Sequence, residues 1–214
     1  ASGEIIGSFA LTEPNAGSDA GALQTKAVKS GDDYIISGTK RYITNAPHAQ
    51  LFTVFARTDP NQSGAKGVSA FLVDADTPGI TLSQPYRKMG QQGAHVCDVI
   101  FEDCRVPASQ MVGGVNNLHK GFQTAMKTLD RGRIHISALS VGCANRLIDL
   151  CLSYGQERSQ FGQPIGEFQL LQGMIADSKA ESYAAECMIF DTAKRRDNGE
   201  NVNTLASCCK LFAT

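Results

Sequence analysis

The feature that most constrains this chain is a change of hydrophobic period near residue 117. From residue 4 to about 110, short apolar or alternating runs ("IIGSFAL", "DYIISG", "LFTVFA", "VSAFLVDA", "GITLSQ", "CDVIFEDCRV") are separated by "EPNAGSD", "KSGDD", "TDPNQSGAKG" and "DADTPG". The runs predict strands, and the Gly, Pro, Asn and Asp between them favour turns. Strands at such spacing predict a sandwich or barrel-like sheet. Beyond 117, Phe122, Ala125, Met126 and Leu129, then Leu147, Cys151 and Tyr154, recur at helical spacing. No proline lies between Pro107 and Pro164 to break the run. "QFGQPIGEF" interrupts it, Phe168, Leu171, Ile175 and Met188 resume the period, and a third helix is expected from near Asn203. The expected fold class is α+β, with a β-sandwich or barrel-like domain over 1–115 followed by a partial antiparallel α-helical bundle over 116–214. Helices so incomplete leave apolar faces without partners, so the chain reads as a fragment.

Charge narrows the function classes. Twenty basic and twenty-one acidic residues leave a net charge of −1, so no global field draws nucleic acid or a membrane surface. A polyanionic ligand must then be held by local groups. No uninterrupted apolar run approaches the ~20 residues of a membrane helix, and neither a nucleic-acid partner nor membrane insertion is expected. The seven cysteines form no Cys-x-x-Cys pair and no zinc-spaced cluster with histidine, so no metal site is expected. They read as reduced thiols of an intracellular protein, packed as small buried hydrophobes.

Five segments carry possible chemistry. Phe9 to Asp19, "FALTEPNAGSD", is an apolar strand entering a turn, and backbone groups freed at a strand end can pair with a heterocycle. Gly38 to Ala46, "GTKRYITNA", puts an aromatic and a hydroxyl two apart at Tyr42 and Thr44. Phe101 to Gly114, "FEDCRVPASQMVGG", leads from the last strand towards the first helix. Asp130-Arg131-Gly132-Arg133 places an acid and a guanidinium three apart on one helical face. Glu157 to Gln169, "ERSQFGQPIGEFQ", is a turn between helices. No Gly-x-Gly-x-x-Gly follows a strand, so a dinucleotide would not be held in the Rossmann manner.

In that order these segments resemble the acyl-CoA dehydrogenase family, over its middle β-domain and the first part of its C-terminal helical domain. The resemblance implies FAD as cofactor, bound by Phe9, Leu11, Thr12, Gly17, Ser18, Tyr42, Ile43 and Thr44. Leu11 and Thr12 would bond the flavin ring, and Thr44 would donate to its N5. Tyr42 stands where the family more often has tryptophan. Ser18 would also face the substrate, together with Asp130 and Arg133, which would line the CoA-thioester cleft. Arg158, Phe161 and Gln169 would contact FAD bound mainly by a neighbouring subunit, which implies a homo-oligomer, a tetramer in the family. The implied reaction is α,β-dehydrogenation of an acyl-CoA to its trans-2-enoyl-CoA in fatty acid metabolism, with electron-transfer flavoprotein as acceptor and the bacterial cytoplasm or mitochondrial matrix as location. No catalytic residue is assigned. The helix-borne glutamate of one subgroup falls at Gly132 here, so the base is expected beyond Thr214, and the family's N-terminal helical domain is not represented. Related acyl-CoA oxidases, flavin monooxygenases and a non-catalytic binding protein stay open.

Overall fold

The computed structural model describes residues 2–214. Contacts divide the chain into two units, Ala1–Ala125 and Met126–Thr214. The division falls further along than 115/116 because the segment after the last strand packs on the sheet. His119 N–H donates to Ser69 Oγ at 2.9 Å, Lys120 bridges to Val68, and Gly121 lies against the Ser69–Ala70 backbone.

The first unit is a curled mixed sheet of seven strands: β1 (Gly7–Ala10), β2 (Lys26–Ser30), β3 (Asp33–Thr44), β4 (Leu51–Arg57), β5 (Val68–Asp74), β6 (Ile80–Leu82) and β7 (Val96–Pro107). Their order is β1-β4-β2-β3-β7-β6, with β5 also on β4. β1 runs parallel to β4, and β2–β3, β3–β7, β6–β7 and β4–β5 are antiparallel. Six of the strands lie in the runs expected from the sequence. β2 does not, because "KAVKS" has little apolar content and is held by its hairpin with β3, turned at Gly31 with φ +64°. The core of this unit is built from Ile36, Ile43, Phe52, Val54, Phe71, Val73, Val99 and Phe101. The Arg57 guanidinium donates to five backbone carbonyls, of Gly21, Leu23, Gln62, Gly64 and Lys66, and so pins the long loop between β4 and β5.

The second unit holds most of α1 (Gly121–Glu157), a hairpin of β8 (Ser159–Gln160) and β9 (Gln163–Pro164), α2 (Gln169–Asp197) and α3 (Asn203–Ala213). α1 and α2 are antiparallel: Ser182 Oγ donates to Asn145 Oδ1 at 3.0 Å, and Gly155 meets Gly166 near the hairpin. Ile134, Val141, Ala185, Ile189, Val202, Ala206 and Cys209 form the core. The helical spacing is real, but Leu147 and Tyr154 are exposed in this chain, and Ile134, Ser137, Val141 and Ile148 make the buried stripe of α1. By length and composition alone α1 is apolar enough to cross a membrane. Uninterrupted apolar runs miss this, because isolated polar residues such as His135, Arg146 and Asp149 break each run while the average stays apolar, and a bundle helix meets the same criterion. Of the seven cysteines only Cys97, Cys104 and Cys209 are buried; Cys143, Cys151, Cys187 and Cys208 are exposed, so the expectation of seven buried thiols fails for four.

Candidate functional site

The first motif and the second meet at one end of the first unit. Ser8 Oγ donates to the Thr44 carbonyl at 2.7 Å, and Arg41 N–H donates to the Thr12 carbonyl at 2.7 Å. Residues 8–12 therefore run against 44–41, and a strand end and a strand exit lie side by side. Thr12 is half-buried, and Thr44, Gly17 and Ser18 are exposed. The Thr12 amide and the hydroxyls of Thr12, Thr44 and Ser18 carry no hydrogen bond among the described residues. Phe9 is on the outer face with its ring 4.9 Å from that of Phe55. Leu11 and Ile43 are buried, so these two would serve a ligand through their backbone and not their side chains.

Tyr42 is set by a β-bulge. Between Lys40 and Ile43 the chain advances three residues while β7 retreats two, from Val99 to Cys97. The extra residue takes φ +58° at Tyr42, a left-handed conformation that a bulky residue rarely adopts, and leaves its ring 58% exposed. Asp98 holds this geometry: it accepts from Arg41 Nε and Nη2, both at 3.1 Å, from the Tyr42 amide at 3.3 Å and from Tyr86 Oη at 3.0 Å. The bond to Asp98 holds the Arg41 guanidinium above its ordinary pKa, while burial and then Asp98 push the Tyr86 phenol up. Tyr86 packs its ring 5.1 Å from Tyr42, so two aromatics, not one, front the bulge.

Behind them lies a buried ion pair. Lys40 Nζ donates to Glu13 Oε1 at 2.8 Å and to the Leu11 carbonyl at 3.1 Å, and Lys40 is fully buried. Glu13 also accepts the amides of Gln24 (2.6 Å) and Thr25 (2.9 Å). Burial lowers the Lys40 pKa to about 8 even though Glu13 opposes the shift. Burial also pushes Glu13 up, but Lys40 and the bonds from Thr25 and Gln24 outweigh it and hold the carboxyl below its ordinary value. Lys40, Glu13, Asp98 and Tyr86 all went unassigned in the sequence. The signal for Lys40 was its parity with Tyr34 and Ile36, which mark the core side of β3 before the bulge, a position that admits a charge only with a buried partner.

The second unit carries two separate groups. On α1, Arg133 pairs with Asp130, both part-exposed, and a side chain at Gly132 would meet nothing within 4 Å. Arg158, Phe161 and Gln169 gather at the hairpin after α1; Phe161 is 94% exposed at φ +54°, with its ring edge-on to Phe168 at 6.2 Å. Twenty-five residues of helix separate Arg133 from Arg158, roughly 38 Å at the α-helical rise, so these two guanidinia of one chain cannot share a ligand group. Grooves of about 460 and 620 Å³ between the helices are lined by such residues as Leu147, Ile148, Ile175 and Phe212, and none of the expected ligand groups opens into them.

An aromatic and unpaired donors at a strand crossing, on a curled sheet followed by antiparallel helices, define an architecture that comparison with known proteins then specifies. The family model described as "Acyl-CoA dehydrogenase, middle domain" matches residues 8–104, and "Acyl-CoA dehydrogenase, C-terminal domain" matches 119–214. The chain belongs to the acyl-CoA dehydrogenase family. It is 46% identical to "Probable acyl-CoA dehydrogenase YngJ" of Bacillus subtilis over all of this chain and 56% of that protein. It is 42% identical to "Caffeyl-CoA reductase-Etf complex subunit CarC" of Acetobacterium woodii, over 96% of this chain and 53% of that one. The solved butyryl-CoA dehydrogenase of Megasphaera elsdenii superposes with a TM-score of 0.92 at 37% identity, covering 98% of this chain and 54% of that one. The chain thus spans about half the length of the relatives it matches.

Proposed function

We propose that this chain supplies the flavin-ring and thioester contacts of an FAD-dependent enzyme that converts an acyl-CoA to its trans-2-enoyl-CoA. The observation that carries this reading is the crossing of residues 8–12 with 41–44, which brings the unpaired Thr12 and Thr44 donors and the exposed Tyr42 ring to one strand junction. Those groups fit an isoalloxazine: its edge needs donors, and its face needs an aromatic or apolar surface. When bound, FAD supplies the hydride acceptor. Thr44 would hold a donor at the atom that receives the hydride, where negative charge develops. Ser18, Asp130 and Arg133 would bind the thioester, the Arg133 fork matching phosphate or purine acceptors. Asp130 is already engaged by Arg133 and Gly132 has no side chain, so neither is assigned the α-proton.

Arg158, Phe161 and Gln169, roughly a helix length from Arg133, would serve FAD across a subunit boundary in a homotetramer. CarC's name, with its Etf complex, supports electron-transfer flavoprotein as redox partner, and its being named a reductase fits the same chemistry run towards the saturated thioester. An intracellular location, bacterial cytoplasm or mitochondrial matrix, goes with seven unpaired cysteines. The test is to incubate the purified full chain with FAD, remove free ligand and record the visible spectrum. Retained flavin whose visible band shifts on adding an acyl-CoA is expected; anaerobic bleaching needs a base over the α-carbon, a role assigned to no residue of this chain. A protein that retains no flavin refutes the reading.

A further inference from the structure

Of the groups assigned to flavin or thioester the Lys40–Glu13 pair touches only the Leu11 backbone, through its carbonyl, and among the described residues no ion pair is as deeply buried. A buried ion pair is seldom a net source of stability, since desolvation of both charges cancels their attraction. What this one does is geometric. Lys40 draws the Leu11 carbonyl inward, and that carbonyl shares a peptide plane with the Thr12 amide. No peptide bond is cis, so in that plane the C=O and N–H point in opposite directions. With the Leu11 oxygen held towards the core, the Thr12 N–H faces away from it. The next carbonyl, that of Thr12, is taken by Arg41 N–H, and Glu13 is tied down by Gln24 and Thr25. Three successive residues, Leu11 to Glu13, are therefore held by Lys40, Arg41, Gln24 and Thr25, none of which is assigned to flavin or thioester.

We propose that Lys40 and Glu13 form a positioning clamp for the flavin site, fixing the Leu11–Thr12 peptide so that the Thr12 amide is aimed outward before the cofactor arrives. The proposal rests on the flavin reading above. It predicts that flavin binding and folding stability respond differently to the same substitution. Glu13→Gln/Lys40→Met in the full chain removes both charges with little change of volume and leaves no donor for the Leu11 carbonyl. Its melting temperature without FAD should stay within a few degrees of wild type, whereas its Kd for FAD should rise about tenfold, and the visible flavin band of the bound form should shift. Glu13→Gln alone keeps the lysine donor on Leu11 and should bind FAD within about twofold of wild type, with the wild-type spectrum. A double variant that folds and binds FAD with wild-type Kd and spectrum overturns the clamp and leaves the flavin reading intact. One that does not fold shows a structural role and also overturns it. Wild-type protein that takes up no FAD removes the flavin reading, and the clamp falls with it.

Discussion

Raising the pH should stabilise this protein through Lys40, opposite to the behaviour of a solvent-exposed ion pair. The folded-state pKa of Lys40 is lowered from 10.5 to about 8 by burial. Between those values the unfolded chain keeps the proton that the folded chain has released, so the unfolded state binds more protons and unfolding becomes harder as pH rises. Below about pH 8 both states are protonated and the penalty for burying the ammonium is present in full; above about 10.5 neither is, and it is gone. A difference of 2.5 units corresponds to about 3 kcal/mol at 1.36 kcal/mol per unit. Urea unfolding of wild type and of Glu13→Gln/Lys40→Met should be followed by circular dichroism under reducing conditions. The chain has no tryptophan to report unfolding by fluorescence. Subtracting the double variant removes whatever pH dependence the two proteins share. The wild-type-minus-double difference should favour the double variant or be near zero at neutral pH, then move about 3 kcal/mol towards wild type across the window. A difference that stays flat, or that moves towards the double variant as pH rises, would refute the claim that desolvation dominates at Lys40.

Gly121→Ala should destabilise the first unit by roughly 1–3 kcal/mol, because the added Cβ would lie 2.5 Å from the Ala70 amide nitrogen; an unchanged thermal melt would show that the helix start shifts freely. Arg133→Ala should weaken CoA-thioester binding about tenfold, measured by titration calorimetry, while FAD content stays at the wild-type level. Loss of flavin in that variant would mean the two sites are exchanged. Arg158→Ala should lower FAD retention in the assembled oligomer, losing one charge-assisted contact of roughly 1.5–3 kcal/mol, and an FAD affinity unchanged within about twofold would remove Arg158 from the flavin site.

The sequence by itself determined the order of the architecture: six of the seven strands of the sheet, the change to helical period, and the helix start at Asn203. These are local signals, written in side-chain alternation and turn residues, and so survive without tertiary context. It also supplied the motif residues Phe9 to Ser18 and Tyr42 to Thr44 as separate segments. Only the tertiary structure decided how they combine. β2 became a strand because β3 offered it a partner, since "KAVKS" has no strong strand preference of its own. The stripe that α1 buries, from Ile134 to Ile148, depends on where α2 and α3 lie, so period alone could not choose it. Tyr42 faces outward because a single extra residue opposite β7 reverses the alternation, and no local pattern announces a bulge that exists only relative to a paired strand. The same holds for Lys40, Glu13 and Asp98. Parity puts Lys40 on the core side but names no partner, Glu13 and Asp98 read as ordinary charged residues in sequence, and each takes its role from a partner 27 or more residues away. Long-range contact decides which charges are desolvated, and desolvation turns a surface residue type into a fixed point of the site.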